Sequence, residues 1–461
     1  MKKQIVTTIF ATIVVLFSHG QTVNVGDNSG TATTNNSFFG AYSGQNSIGN
    51  YNSFFGYTSG KNNQGTGNSF YGYSSGGNNQ GDYNAFYGYA SGRDNTTATN
   101  NAFFGTSSGV KTTTGSYNTF VGHSSGYNNT SGESNVFLGM YSGLNNTTGT
   151  KNTYIGRSAG YTNIEGENNA YVGYGSGLYS IGSNNVFQGT YAGLGYNNDH
   201  YSNLGTTRPI TNNNTLIGYA AGRLNEGNGN VSLGYAAGEK TQGDYNLNLG
   251  YAAAYNNQSG NRNVFLGFYS GYDNSGSNNI FIGNESGRYE TGSNKLYIES
   301  SNSSTPLIYG DFSSDIVNIN GKLGIGTTSP DEKLTVKGKI HAQEVRVDIN
   351  GPIAPDYVFE KYFKGESKLN PNYNMPTLEE VEAYTKANNH LPEVPSAQEM
   401  EANGIQLKEM NLKLLQKIEE LTLYTIEQQK EIKLLKSQVS KNKELEKRLD
   451  KIEKLLSTIE D

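Results

Sequence analysis

The side chains best suited to chemistry in this sequence are tyrosines. Tyr57, Tyr73, Tyr89, Tyr174, Tyr219, Tyr235 and Tyr251 each directly follow a Gly, and Tyr42, Tyr141, Tyr191 and Tyr269 stand one position further on. Their chemistry is recognition. A phenol ring offers an apolar face and a hydroxyl at low entropic cost, and a column of them would suit sugar rings or a protein surface. Such rings equally fill grooves between subunits, and the sequence leaves both readings open. Tyr57, Tyr73, Tyr89, Tyr219, Tyr235 and Tyr251 are the candidate ligand contacts.

Covalent, acid–base and metal chemistry find no comparable home. His19, His123, His200, His341 and His390 are scattered without metal-ligand spacing, and there is no Cys. The many Ser residues include no nucleophile elbow with its triad partners. Glu165 with Glu167, and Glu285 with Glu290, read as solvated turn charge and not as paired carboxylates for glycoside hydrolysis. Gly324-Ile-Gly326 lacks the third Gly and following helix of a phosphate loop. No catalytic residue, metal site or cofactor is predicted, and no enzymatic activity.

The elements that carry the tyrosines are repeats. The pattern Asn-x-aromatic-x-Gly-x-x-Ser/Ala-Gly recurs fifteen times between Asn36 and Asn279, at steps of 16 or 17 residues and one step of 29. The second Gly is kept except at Ala254. Such a period has room for two short strands and two turns. Stacked coils place equal positions about 4.8 Å apart. The third position then forms an inward column: Phe38, Phe54, Phe70, Phe86, Phe103, Phe120, Phe137, Tyr154, Tyr171, Phe187, Leu216, Phe265 and Phe281. Ser232 and Asn248 break it. Their apolar neighbours Val231, Leu233, Leu247 and Leu249 predict an inward face shifted by one residue there. The first Gly leaves no room for Cβ, and the Asn suits a side-chain ladder.

Apolar residues make up only 34% of the 461, against 59 Gly and 34 Tyr. That balance would suggest disorder without the repeat. Lys2 and Lys3, the apolar run Ile5 to Phe17 and Ser18-His19-Gly20 predict a secretory signal over 1–20, cleaved before Gln21. Without Lys2 and Lys3 the formal charge goes from −6 to −8, which disfavours nucleic acid as a partner. No later segment is long and apolar enough for a transmembrane helix. With no disulfides, stability must come from stacking and self-association.

Over residues 35–298 the repeat resembles the YadA-type head repeats of trimeric autotransporter adhesins, whose unit runs Asn-Ser-x-x-Ile-Gly-x-x-Ala. Asn214-Thr-Leu-Ile-Gly218-Tyr-Ala-Ala221-Gly222 is close to it. The resemblance implies a left-handed parallel β-roll that trimerises through its faces and serves as an adhesive head. The period here is longer, and the chain closes on charged helix, so that family's membrane anchor is not expected.

Beyond the head at 21–298, short strands are predicted at Lys295–Ile298, Pro306–Tyr309, Ile316–Ile319, Lys322–Ile325, Lys333–Val336 and Lys339–Ala342, most of them in a β neck over 299–351. Its stretch Asn320-Gly-Lys-Leu-Gly-Ile-Gly-Thr-Thr-Ser-Pro330 resembles the neck of phage tail-fibre-like proteins. An adaptor at 352–404 carries two capping boxes, Thr377-x-x-Glu380 and Ser396-x-x-Glu399. Its segment His390-Leu-Pro-Glu-Val-Pro-Ser-Ala397 resembles C-terminal regions of tail-fibre-like surface proteins from the Bacteroidetes. Residues 405–461 form a predicted coiled coil. Ile418, Leu421, Thr425, Gln428, Ile432, Leu435 and Val439 alternate steps of three and four, with a phase slip near Asn442.

The fold class expected is therefore mainly β: a parallel solenoid, a β neck, a small helical adaptor and a coiled coil. The expected protein is a secreted or cell-surface, adhesin-like homotrimer with a carbohydrate or cell-surface ligand. The alternative is a structural tail-fibre or appendage component docked through its C-terminal region.

Overall fold

The computed structural model describes residues 23–27, 29–30, 35–195, 210–348 and 351–457. The predicted signal at 1–20 lies outside them, as do residues 196–209 of the 29-residue step. The chain divides into two units, Met1–Gly338 and Lys339–Asp461.

The first unit is a parallel β-solenoid. Strands β1 (Val23–Val25) to β17 (Lys295–Ile298) pair in parallel, each with the next in the chain. The sequence has room for two strands per coil, but each coil holds one, of three or four residues. The remainder bends too sharply for a second. Three residues per coil take left-handed backbone, as at Asn35 (φ 67°), Tyr42 (φ 59°) and Gly44 (φ 57°). Coil-to-coil bonding continues through these bends, with Gly44 N–H to Ser59 O at 2.9 Å and Asn46 N–H to Lys61 O at 2.7 Å. The step of 29 does not break the ladder: β11 (Val186–Gln188) pairs directly with β12 (Thr215–Ile217).

The interior is one column of rings. Phe38 stacks on Phe54 at 5.0 Å, and the stack runs through Phe137, Tyr154 and Tyr171 to Phe187 at 4.6–4.9 Å. All are buried. Full burial of each such side chain contributes about 1.5–3 kcal/mol. Beside the rings runs an asparagine ladder. The backbone N–H of Asn52 donates to Asn36 Oδ1 at 2.7 Å, and Asn52 Nδ2 donates across the coil to Gly65 O at 3.0 Å. The pattern repeats coil after coil, so the buried amides are paired and not merely tolerated. On the third side Ser43 Oγ donates to Phe54 O at 3.2 Å, and the Ser at the same position in later coils does likewise.

The two glycines of the repeat have different causes. A Cβ on Gly139 (φ 134°) would lie 2.6 Å from the backbone of Gly156 in the next coil. A Cβ on Gly143 (φ 57°) would lie 2.4 Å from the ring of Phe137 in its own coil. Ala254 breaks the second rule where the side chain it would strike is no longer a ring but Asn248.

Strands β13 (Val231–Leu233) and β14 (Leu247–Leu249) correct one expectation. The inward face is not shifted. Ser232 and Asn248 point inward and are buried, while Val231 is 38% and Leu233 47% exposed. The parallel register Leu216↔Ser232↔Asn248↔Phe265 is fixed by the Asn ladder on one side and the glycines on the other. A one-residue slip would break both. Asn248 Nδ2 instead donates to Ser232 Oγ at 3.1 Å, giving a polar interval between two apolar cores.

On the outer strand face, the first and third residues of the repeat strands, from Ser37 and Phe39 to Ile280 and Ile282, include no charged side chain. The parallel stack ends in an antiparallel hairpin. β18 (Ile308–Asp311) pairs with β17 and with β19 (Ile316–Ile319), and Lys295 Nζ bridges to Asp311 at 2.8 Å. β20 (Leu323–Ile325) and β21 (Leu334–Val336) form a separate parallel pair. The strand predicted at Lys339–Ala342 is absent: no neighbouring strand pairs with it, and Ile340 is exposed.

The second unit is helical: α1 (Tyr357–Lys364), α2 (Leu378–Asn388), α3 (Ala397–Asn403) and α4 (Leu407–Ser457). Both capping boxes form, at the starts of α2 and α3. Gly404, at φ 72°, ends α3. Val358 and Tyr373 pack on Leu423 of α4. Tyr357 Oη reaches Gln416 Oε1, and Tyr373 Oη reaches Glu420 Oε1, both at 2.9 Å. The covered side of α4 thus carries Gln416, Glu420 and Leu423. Ile418, Leu421, Ile432, Leu435 and Val439 remain exposed. From Glu427 to Leu456 every side chain of α4 is exposed.

Candidate binding surface

Each candidate tyrosine follows the first repeat Gly, at the point where the strand turns out of the sheet. The Gly backbone there (φ 132° at Gly56, 134° at Gly218) fixes the direction in which the next side chain leaves. Equal positions in successive coils therefore superpose. Tyr57, Tyr73 and Tyr89 form one stack, with centroids 5.3 and 5.1 Å apart. Tyr219, Tyr235 and Tyr251 form another, at 5.1 and 4.8 Å. The six are between 43% and 56% exposed. Between the stacks the same position holds Thr106, His123, Met140, Arg157, Tyr174 and Thr190.

Ring orientation decides what this surface offers. Interplanar angles of 6–15° at these separations make offset stacks. Most ring faces are taken by neighbouring tyrosines, so the outward surface is a comb of ring edges and hydroxyls. It is not a flat platform of ring faces. Partial desolvation, then the neighbouring Tyr269 and Tyr235, raise the Tyr251 phenol above its ordinary value. It stays protonated, and a hydrogen-bond donor, at neutral pH.

The second set of tyrosines closes the ends of the stacks. Tyr42 meets Tyr57 edge-to-face at 5.6 Å, Tyr191 meets Tyr219 at 6.3 Å, and Tyr269 meets Tyr251 at 5.5 Å. Phe268 also covers Tyr251, at 5.2 Å. Cations sit over several of these rings: Lys61 over Tyr42 at 5.9 Å, Arg157 over Tyr174 at 5.8 Å and Arg288 over Tyr269 at 4.6 Å.

The chain matches no protein-family model, no curated protein and no solved structure.

Sequence reasoning missed a second aromatic ladder on the strand face. Phe39, Phe55, Tyr71, Tyr87 and Phe104 stack at 4.5–4.8 Å. The signal was there, an aromatic immediately before the first Gly in five successive coils. It was masked by the inward aromatic immediately before it. Tyr51, Tyr83, Tyr117 and Tyr245 were missed too. They precede the repeat Asn, have left-handed backbone and are exposed. Gly67 takes that place in the coil before Tyr83, whose ring lies 2.8 Å from where a Gly67 Cβ would stand.

Of the acidic pairs expected to be solvated turn charge, Glu165 and Glu167 are exposed, but Glu285 and Glu290 are half-buried and partnered. Glu285 pairs with Arg288 at 3.0 Å, and Glu290 accepts from Gly292 N–H and from the Tyr297 hydroxyl. Among the described residues no three His, Cys, Asp or Glu side chains gather to hold a metal, and no helix is long and apolar enough to cross a membrane.

Proposed function

We propose that this chain is a secreted or cell-surface fibrous protein, adhesin-like and without catalytic activity, that binds carbohydrate or another cell-surface ligand through its solenoid. One observation carries this reading: two in-register tyrosine combs stand half-exposed on a rigid repeat. A repeating polymer would meet the same hydroxyl row at every coil, so weak contacts multiply along the comb. The comb favours hydrogen bonding along a row over stacking on a platform.

The oligomer belongs to the same proposal. The exposed heptad positions of α4 form the seam of a coiled coil with further copies of the chain, and residues 352–404 act as an adaptor on its outer side. Ile at a-type and Leu at d-type positions favour two strands. The YadA-type resemblance favours three, and three is the number proposed. The uncharged strand face supports lateral packing of solenoids. The tail-fibre reading draws support from the same helix. Residues around Val358 and Tyr373 cover one side of α4 and leave a second side for a docking partner.

The test replaces Tyr219, Tyr235 and Tyr251 together by Ser in the full secreted chain. Binding to a glycan array and to cells is expected to fall, with the oligomer retained and melting changed little. Loss of folding or of self-association in this variant would instead make the tyrosines interface filler.

A further inference from the structure

The tyrosine comb has one missing tooth that no ring among the described residues fills. At the comb position Tyr89 is followed by Thr106 and then His123. The coils of Tyr89 and His123 lie two rungs apart, roughly 9.6 Å at the spacing of a parallel stack. One ring fits between them at the separation the other rings keep. Thr106 and His123 are both exposed. Tyr89 is the most exposed of the six candidates, at 56%. Its partner on one side is Tyr73, at 5.1 Å. On the other side the comb offers only the side chain of Thr106, so that ring face is open. His123 is closed on its far side by Tyr141, edge-to-face at 5.3 Å.

The protein contains its own control for what such a gap accepts. Thr190 interrupts the comb in the same way, between Tyr174 and Tyr219. There the next residue is Tyr191, and its ring enters the gap, 5.3 Å from Tyr174 and 6.3 Å from Tyr219. At the Thr106 gap the corresponding residue is Ser107, too small to enter. A gap of the same make therefore holds a six-membered ring in one place and is left open in the other.

We propose that the slot between Tyr89 and His123, floored by Thr106, is a binding site for a single pyranose ring at the end of a glycan. The assignment rests on the carbohydrate reading above and deepens it. The electronegative face of Tyr89 attracts the C–H groups of a sugar face. The Thr106 hydroxyl can donate and accept. Arg93, in the coil of Tyr89, is held in a two-point pair with Asp94, Nε to Oδ1 and Nη2 to Oδ2 both at 2.8 Å. That pair is partly exposed and stands in the same coil as Tyr89. It presents fixed donors and acceptors for sugar hydroxyls. Polar groups beside an open aromatic face favour a pyranose over a purely aromatic ring.

The test titrates the full chain with methyl glycosides of glucose, galactose, mannose and N-acetylglucosamine, and with p-cresol, following the His123 ring protons by NMR. Thr106→Tyr completes the comb with a residue that this position already accepts in seven coils. Ser107→Tyr fills the gap as Tyr191 does. At least one glycoside is expected to shift His123 saturably in the wild type. Its affinity is expected to fall about tenfold in both variants, the loss of one aromatic contact, with melting temperature held. If the chain binds glycans on an array while no glycoside moves His123, the slot is wrong and the comb reading survives. If it binds no glycan at all, both fall. If p-cresol alone moves His123, the occupant is aromatic and the pyranose assignment fails.

Discussion

The solenoid and the long helix α4 solve the problem of apolar surface in opposite ways. In the solenoid the largest apolar side chains, Phe38 to Phe281, are buried within one chain. In α4 from Glu427 to Leu456 nothing is buried, and Ile432, Leu435, Val439, Leu445 and Leu449 lie on the outside. A repeat that closes on itself every 16 or 17 residues makes its own interior. A single helix cannot, and most of a helix's stability comes from packing its apolar face on something else. The two regions should therefore fail differently.

The largest effect is expected inside the solenoid. Gly139→Val places a Cβ against the Gly156 backbone at a φ that β-branched residues avoid. It should cost about 4 kcal/mol or more. Thr147→Ala, at an exposed turn, loses one hydroxyl bond to Ile164 O and should cost about 1 kcal/mol or less. Equal melting temperatures would undo the account of the repeat.

Next comes the helix. Ile432→Lys with Leu435→Lys should weaken self-association by about 3–6 kcal/mol, the burial of two aliphatic side chains, and leave the solenoid's melting transition in place. Analytical ultracentrifugation with calorimetry separates the two. A solenoid that melts earlier as the oligomer dissociates would erase the contrast.

The third test asks whether the polar interval is a local compromise. Asn248→Phe extends the ring column by one coil from Phe265, Ser232 still interrupting it, but meets the Cβ of Ala254, where the neighbouring coils have Gly. It should destabilise by about 2–3 kcal/mol. Adding Ala254→Gly should recover most of that, a coupling that a double-mutant cycle reads directly. Strict additivity would break the link between the two exceptions.

The smallest effect is at the hairpin cap. Lys295 first, then the Ser313 hydroxyl, hold the Asp311 carboxyl well below its ordinary range. Its folded pKa is depressed, so its contribution is complete above the unfolded value of about 4 and fades as the pH falls below it. The protection factors of the amides in the β18–β19 hairpin, taken against their intrinsic exchange rates at each pH, should fall in acid. The Asp311→Asn variant should lack that dependence.

Much of this was legible in the residues. Phe38 to Phe187 announced the ring column, Gly139 the close approach, and Thr377 and Ser396 their helix starts. The polar interval was misread because Leu247 and Leu249 look like better core than Asn248. Hydrophobicity was weighed there without the hydrogen bonds of the Asn ladder, which hold the register. Ring orientation in the tyrosine comb was not legible at all. It depends on how far successive coils separate the rings and on what caps each end, and Tyr191 and Ser107 differ there by a single residue type at one position.

The asparagine ladder gives the solenoid a direction of growth. Each Asn offers its Oδ1 to the backbone of the following coil, from Asn36 to Asn52 and onward, until Lys295 N–H takes the last acceptor, Asn279 Oδ1, at 2.8 Å. A coil at an advancing front therefore has an acceptor that meets only water, and the net gain of about 0.5–1.5 kcal/mol from its hydrogen bond comes with its successor. Assembly then resembles a one-dimensional crystal that lengthens from a seed. The last coil is the least bonded at every length, until Lys295, in the strand that leads into the closing hairpin, takes the final acceptor.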